Sequence, residues 1–186
     1  MEALVTAFVA AFLAGWGDKT QQVAAMLTES TKRPLLVFAG LFLAITASNV
    51  VAAIAGVYVA QTINIRAATL LVALALLFAG ASGLIRRRPP KPATLKLPLV
   101  TAFILCLAAE LGDRTQFLTF GLAGRFNSAP LAAAGAIAGS LAALLPAILL
   151  GEELQKTAPI RFIRIGGAIL FLLAGFIAAI KALQLA

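Results

Sequence analysis

Glu110-Leu111-Gly112-Asp113-Arg114-Thr115-Gln116 and Gly15-Trp16-Gly17-Asp18-Lys19-Thr20-Gln21 each place charge in the middle of a long apolar segment. Those segments run from about Leu97 to Ala123 and from about Ala3 to Leu27. Asp18, Lys19, Glu110, Asp113 and Arg114 are the charges inside stretches otherwise suited to lipid. Each such charge costs about 2.5–3.5 kcal/mol at a bilayer centre. An ionisable residue kept there at that cost reads first as part of a functional site.

The rest of the chain supports a membrane reading. Of 186 residues, 62% are hydrophobic and 12% charged, against about 25% charged in a soluble domain. Mean hydropathy is +1.03. Four further apolar segments begin after Pro34 (about Leu35–Ala60), at about Ala67 (to Ile85), at Ala129 (to Leu150) and at Ile160 (to Leu183). Each approaches or exceeds the roughly 20 residues that cross a hydrocarbon core. The net charge of +8 lies mostly in the connections between these segments, so membrane orientation explains it and nucleic acid is not an expected partner. The N-terminus carries Glu2 in place of a basic signal-peptide start, and its pattern recurs later, so it is expected to remain as working structure.

Arg86-Arg87-Arg88-Pro89-Pro90-Lys91-Pro92 cannot continue a helix and divides the chain. The expected organisation is a first three-helix repeat at 1–85, a basic linker at 86–96 and a second three-helix repeat at 97–186. A shift of 95 residues carries Asp18 onto Asp113 without a gap. The same shift carries Val5-Thr6-Ala7-Phe8 onto Val100-Thr101-Ala102-Phe103, Ala39-Gly40 onto Ala134-Gly135, and Gly56 onto Gly151. It also carries Ile65-Arg66 onto Ile160-Arg161 and Ala79-Gly80 onto Ala174-Gly175. One fixed shift fitting so many places marks an internal repeat. Three crossings per repeat is odd, so the second repeat enters from the opposite side. The fold expected is an all-α membrane protein of six transmembrane helices in two inverted three-helix repeats.

Lys32, Arg33, Arg86, Arg87, Arg88, Lys91, Lys96, Lys156, Arg161 and Arg164 fall on one side of that plan, and Arg66, Arg125 and Lys181 on the other. The positive-inside rule puts the first group, with the central linker, in the cytoplasm and both termini outside an inner (plasma) membrane.

On a continuous helix Glu110, Asp113 and Gln116 share a face, as do Asp18 and Gln21. Pseudosymmetry would bring the two stripes together, adding the Thr20 and Thr115 oxygens. There is no histidine and only one cysteine, Cys106, so a metal would be held by oxygen. That favours Mn²⁺, Ca²⁺ or Mg²⁺ over zinc or copper. Protons and metal then compete for the same carboxylates, so one gradient can drive the other. Gly17 and Gly112 are places where the helix can break locally. Lys19 and Arg114 cannot ligate a metal and read as counter-charges, or as side chains snorkelling to water. The bland alternative is an ion-pair network that only holds helices together. The repeated Gly-Asp-basic-Thr-Gln order speaks against it.

Other residues stay open at this stage. Cys106 reads as packing, one turn before Glu110. Asn49, with Thr46 and Ser48, either lines a path or joins helices. Gly40 with Ala44, and Gly135 with Gly139, read as close packing. Trp16 has no assigned role. Neither a phosphate-binding Gly-Lys-Ser/Thr loop nor a histidine-based catalytic pair exists, so the chain reads as no enzyme.

At its two motifs the sequence resembles the Golgi-type calcium/manganese cation–proton exchangers and their bacterial manganese exporter relatives. Their signature is Glu-x-Gly-Asp-(Lys/Arg)-(Thr/Ser), once in each half. Residues 110–115 match it fully, and residues 15–20 match at all but the first position, where Gly15 replaces glutamate. The resemblance covers essentially the whole chain. It implies export of Mn²⁺, with Ca²⁺ as the second candidate, in exchange for protons or another cation by alternating access, with Asp18, Glu110 and Asp113 as the acids of the site. The metal is cargo, and no resident cofactor is expected. The lipid bilayer is the surrounding partner, and a homo-oligomer is left open. Rival readings are a carrier of a different cation and a non-transporting membrane protein with structural charges.

Overall fold

A computed structural model describes residues 1–85, 97–151, 153–154 and 159–184. The linker 86–96, with Arg86, Arg87, Arg88, Lys91 and Lys96, lies outside the described residues, as does Lys156. Its helices are α1 (Glu2–Gly15), α2 (Lys19–Thr31), α3 (Pro34–Ala60), α4 (Ile65–Leu84), α5 (Pro98–Glu110), α6 (Arg114–Phe126), α7 (Ala129–Leu150) and α8 (Ile160–Leu183). No strand occurs among the described residues.

Local chemistry sets the ends. Proline occupies the first turn of α3, α5 and α7, where its missing N–H costs nothing. Asn64 caps α4 by accepting from the Ala67 amide at 2.9 Å. Lys32 and Asn127 end α2 and α6 in the left-handed conformation, with φ of 51° and 48°.

α3, α4, α7 and α8 are each long and apolar enough to cross a membrane. α1 and α5 are apolar but have only 14 and 13 residues, about 20 Å at 1.5 Å per residue, short of a ~30 Å hydrocarbon core. Each is continued by a second short helix after a three-residue break. The cause of the break is Gly17 and Gly112, with φ of +66° and +70°. Only glycine adopts that region without steric cost. Asp18 and Asp113 follow in extended conformation as N-caps of α2 and α6.

Helix starts in the second half follow those in the first by 95 or 96 residues, and the packing follows the same rule. α1 packs on α7 as α5 packs on α3, and α4 packs on α8. Gly40 lies against the Leu99 carbonyl, and Gly135 against the Leu4 carbonyl, its counterpart. Gly80 meets Ala168 and Leu172, while Gly175 meets Ala73 and Leu77. A Cβ at any of these four glycines would enter a neighbouring helix, so the close-packing reading of Gly40 and Gly135 holds.

The buried core forms two clusters. One joins α1 and α6 to parts of α3, α4, α7 and α8, and includes Ala14, Ala53, Leu118, Ala136 and Phe171. The other joins α2 and α5 to the remaining parts of α3 and α7, and includes Val23, Leu41, Cys106 and Leu144. α1 and α2 thus contribute to different clusters, as do α5 and α6. The two motif breaks therefore fall at the level where the clusters meet.

Candidate functional site

The broken helices change how the motif side chains are displayed. Glu110 ends α5 and Asp113 caps α6, so Glu110 does not continue one helical stripe with Asp113 and Gln116, whereas Asp18 and Gln21 both follow their break, at the start of α2. The expectation of a shared face assumed a helix that the positive-φ glycine interrupts. The glutamines instead brace the breaks. Gln21 Oε1 accepts from the Gly17 amide at 2.9 Å, and Gln116 Oε1 accepts from the Gly112 amide at 2.9 Å. Aspartate at the N-cap with glutamine three residues on resembles a capping box, and that spacing is a readable helix-start signal. Asp113 Oδ2 also accepts from the Thr115 amide at 3.4 Å.

Contacts between the halves join the motifs. Thr20 donates its hydroxyl to Glu110 Oε1 at 2.8 Å. The Arg114 guanidinium approaches Asp18 Oδ1 at 3.3 Å and donates to the Trp16 carbonyl, also at 3.3 Å. The Trp16 ring packs edge-on against Phe12, 6.0 Å between centroids. Arg114 is only 4% exposed and Asp18 5%, so this is a buried ion pair between the two motifs. Loss of one partner of such a pair costs about 3–5 kcal/mol, because the other charge is left uncompensated. The counter-charge reading of Arg114 thus has a named partner. Lys19 is half-buried.

A small cavity of about 10 Å³ sits between the motifs, lined by Gly15, Asp18, Thr20, Gln21 and Ile45 from the first half and Glu110, Thr115, Ser140 and Leu144 from the second. Its volume matches about one water-sized guest. The structure therefore brings Asp18, Thr20, Gln21, Glu110 and Thr115 to one wall-to-wall space. Asp113 is fully buried but lies outside that lining, and so does Gln116. Glu110 is 3% exposed, and its second oxygen, Oε2, has no hydrogen-bond partner. A buried carboxylate oxygen without a donor is costly unless something fills the role. Among the described residues, no three Asp, Glu or Cys side chains converge closely enough to hold an ion alone. Asp18 and Glu110 share the cavity lining with neutral oxygens, and no tight triad forms among the described residues. Asp18, Glu110 and Asp113 against Arg114 leave the fully buried set formally at two negative charges.

Gly15 is the pseudosymmetric mate of Glu110, and its place is occupied differently. A Cβ at Gly15 would stand 2.6 Å from Ala143 Cβ on α7. Gln21 Nε2 donates to the Ala143 carbonyl at 2.8 Å. The first motif is thus clamped to α7 where a longer side chain would intrude. Cys106 lies fully buried in the apolar cluster, as its packing reading requires. Asn49 joins helices: its Oδ1 accepts from Thr119 on α6 at 2.7 Å, and its amide donates to the Ile45 carbonyl at 2.9 Å. Ser140 was missed by sequence reasoning, because the 95-residue shift maps it onto apolar Ile45.

The breaks are not equally covered. Gly17 packs against Ile160 and Arg164 of α8, 3.1 Å from each to a built Cβ, whereas Gly112 has nothing within 4 Å. α6 packs along α3 and α4, while α2 has no comparable contact with α8.

Comparison with known proteins identifies the family. A family described as "Divalent cation/proton antiporter GDT1" matches residues 3–90 and again 98–186. A protein of Vibrio cholerae serotype O1 named "Putative manganese exporter" is 30% identical over 176 residues, covering 93% of this chain and 88% of that one. No solved structure matches.

Proposed function

This chain belongs to the GDT1 family of divalent cation/proton antiporters, and we propose that it exports Mn²⁺ in exchange for protons by alternating access. The observation that carries the reading is the buried cavity lined by Asp18 of one half and Glu110 of the other. A hard cation is matched by the oxygen-bearing side chains of this lining, which stand beside apolar Ile45 and Leu144, and two formal negative charges balance a divalent guest. The relative named as a manganese exporter supports Mn²⁺ over Ca²⁺.

The proposed architecture is six crossings in two inverted repeats, 1–85 and 97–186, with both termini outside and the linker 86–96 in the cytoplasm. The pairwise matching of helix contacts supports it. In the proposed cycle the cation enters between Asp18 and Glu110 and draws them from Arg114 and Thr20. Protons take its place on the same oxygens for the return. Asp113, Thr115 and the two glutamines hold the breaks that shape the site. Unequal cover of Gly17 and Gly112 is what an asymmetric state of such a cycle requires, and exchange of the two packings gives the opposite state.

The test is transport in proteoliposomes. With an imposed pH gradient, wild-type protein should move Mn²⁺ with opposite proton flow, and Glu110→Gln should abolish both. Mn²⁺ flux unchanged in Glu110→Gln, or flux without proton movement, would overturn the reading.

A further inference from the structure

Ser140 stands out among the hydroxyls of this molecule. A serine or threonine inside a helix commonly returns its proton to a carbonyl one turn earlier. Thr69, Ser82 and Thr101 all do so, at 2.8, 3.1 and 2.9 Å, and Thr119 has both Asn49 Oδ1 and the Thr115 carbonyl within reach. Ser140, in the middle of α7, does not. Its Oγ is buried with no hydrogen-bond partner, and the residue is 9% exposed. The hydroxyl oxygens of Thr28, Thr46 and Ser48 are also buried and unpartnered, but none of the three lines the cavity. Ser140 does, together with Glu110, whose Oε2 is likewise unpartnered. Two buried oxygens that lack donors and border one cation-sized space are a coordination set in want of a positive guest.

The position of Ser140 explains how this chain manages with Gly15. Ser140 precedes Ala143 by three residues and so shares its helix face. Ala143 is the residue against which Gly15 packs and whose carbonyl Gln21 grips. A glutamate at position 15 would hold α7 away at this point, whereas glycine lets α7 close onto the first motif. We propose that the Ser140 hydroxyl is a ligand of the transported divalent cation, a neutral oxygen standing in for the carboxylate that position 15 lacks. This rests on the reading of the cavity as the cation site. The consequence is a site with one fewer negative charge than a four-acid site, and one fewer group able to carry a proton.

Metal-preference exchange tests it. Serine and cysteine differ in one atom, and a thiolate favours soft cations where a hydroxyl favours hard ones. Purified full-length protein is titrated with Mn²⁺ and with Cd²⁺ as wild type, Ser140→Ala, Ser140→Cys and Glu110→Gln. Cys106 is common to all four, so its contribution cancels in the comparison. Ser140→Ala should weaken Mn²⁺ by roughly tenfold, the scale of losing one tuned contact in a metal site, with an unchanged melting temperature. Ser140→Cys should raise the Cd²⁺-to-Mn²⁺ affinity ratio by about tenfold or more over wild type, an effect no packing role predicts. If Glu110→Gln loses Mn²⁺ while Ser140→Cys keeps the wild-type ratio, the cavity binds the cation and Ser140 is not a ligand. If Glu110→Gln binds Mn²⁺ as wild type does, the cavity is not the cation site and both inferences fall.

Discussion

Gly15→Ala isolates the contact that distinguishes the two motifs. The substitution adds one methyl group at the end of α1. In the structure that methyl would lie 2.6 Å from the Ala143 methyl, about 1 Å inside normal carbon–carbon contact. Neither atom can rotate away, because each Cβ is fixed by its backbone. Relief requires α1 and α7 to separate, along a helix pair that also carries the close approaches of Gly135 to Leu4 and Gly139 to Phe8. Overpacking of this kind costs about 1–3 kcal/mol. The gain in helix propensity from replacing glycine offsets at most ~1 kcal/mol, and less at a terminal helical residue. For a chain of this length each kcal/mol shifts the melting temperature by roughly 2–4 °C. The assay is thermal unfolding of purified protein in detergent, run as a cycle with Ala143→Gly. Gly15→Ala should melt lower, Ala143→Gly should restore space, and the double variant should recover most of the loss, giving a coupling of about 1–3 kcal/mol. The same cycle with Gly15→Glu adds a carboxylate to the space and should be tolerated only beside Ala143→Gly. A Gly15→Ala protein as stable as wild type, with no coupling to residue 143, would refute the packing argument.

Three further outcomes follow from the geometry. Arg114→Ala leaves Asp18 buried without its partner and should destabilise the protein by about 3–5 kcal/mol in denaturant unfolding, while the double change with Asp18→Asn should cost less. Gly112→Ala meets no neighbouring atom, so its cost is backbone strain alone, about 1–2 kcal/mol at φ +70°, measurable in the same assay. Val72→Cys with Gly121→Cys should cross-link in the state described here, since a Cβ at Gly121 lies 3.3 Å from Val72 Cα. The counterpart pair, Met26→Cys with Gly167→Cys, should cross-link only after the two packings exchange, and either bond should stop transport.

Much of this arrangement was legible before any coordinates. The 95-residue shift anticipated matching helices, because apolar periodicity and motif spacing are local properties of the chain. The glycines marked the breaks, since position-specific backbone freedom is also local. The displayed faces were not legible, because projecting Glu110, Asp113 and Gln116 onto one stripe presumed an unbroken helix. The glutamine side-chain oxygens also accept from the Gly17 and Gly112 amides. The aspartate-to-glutamine spacing of a helix start is the local signal of that bracing. Contacts that break the repeat leave no trace in the 95-residue pattern. Asn49 maps onto Leu144 and Thr119 onto Ala24, so the hydrogen bond between α3 and α6 has no counterpart. Ser140 and the fit of Gly15 against Ala143 are likewise tertiary facts that no spacing along the chain reveals.

The central claim is that oxygens from both halves hold one cation in the membrane interior. Anomalous diffraction from crystals grown with Mn²⁺ tests it most directly. The account predicts a single strong peak between Asp18 and Glu110, within ligand distance of oxygens from both. A peak bound by residues of one half alone, or lying at a surface away from Glu110, would contradict it.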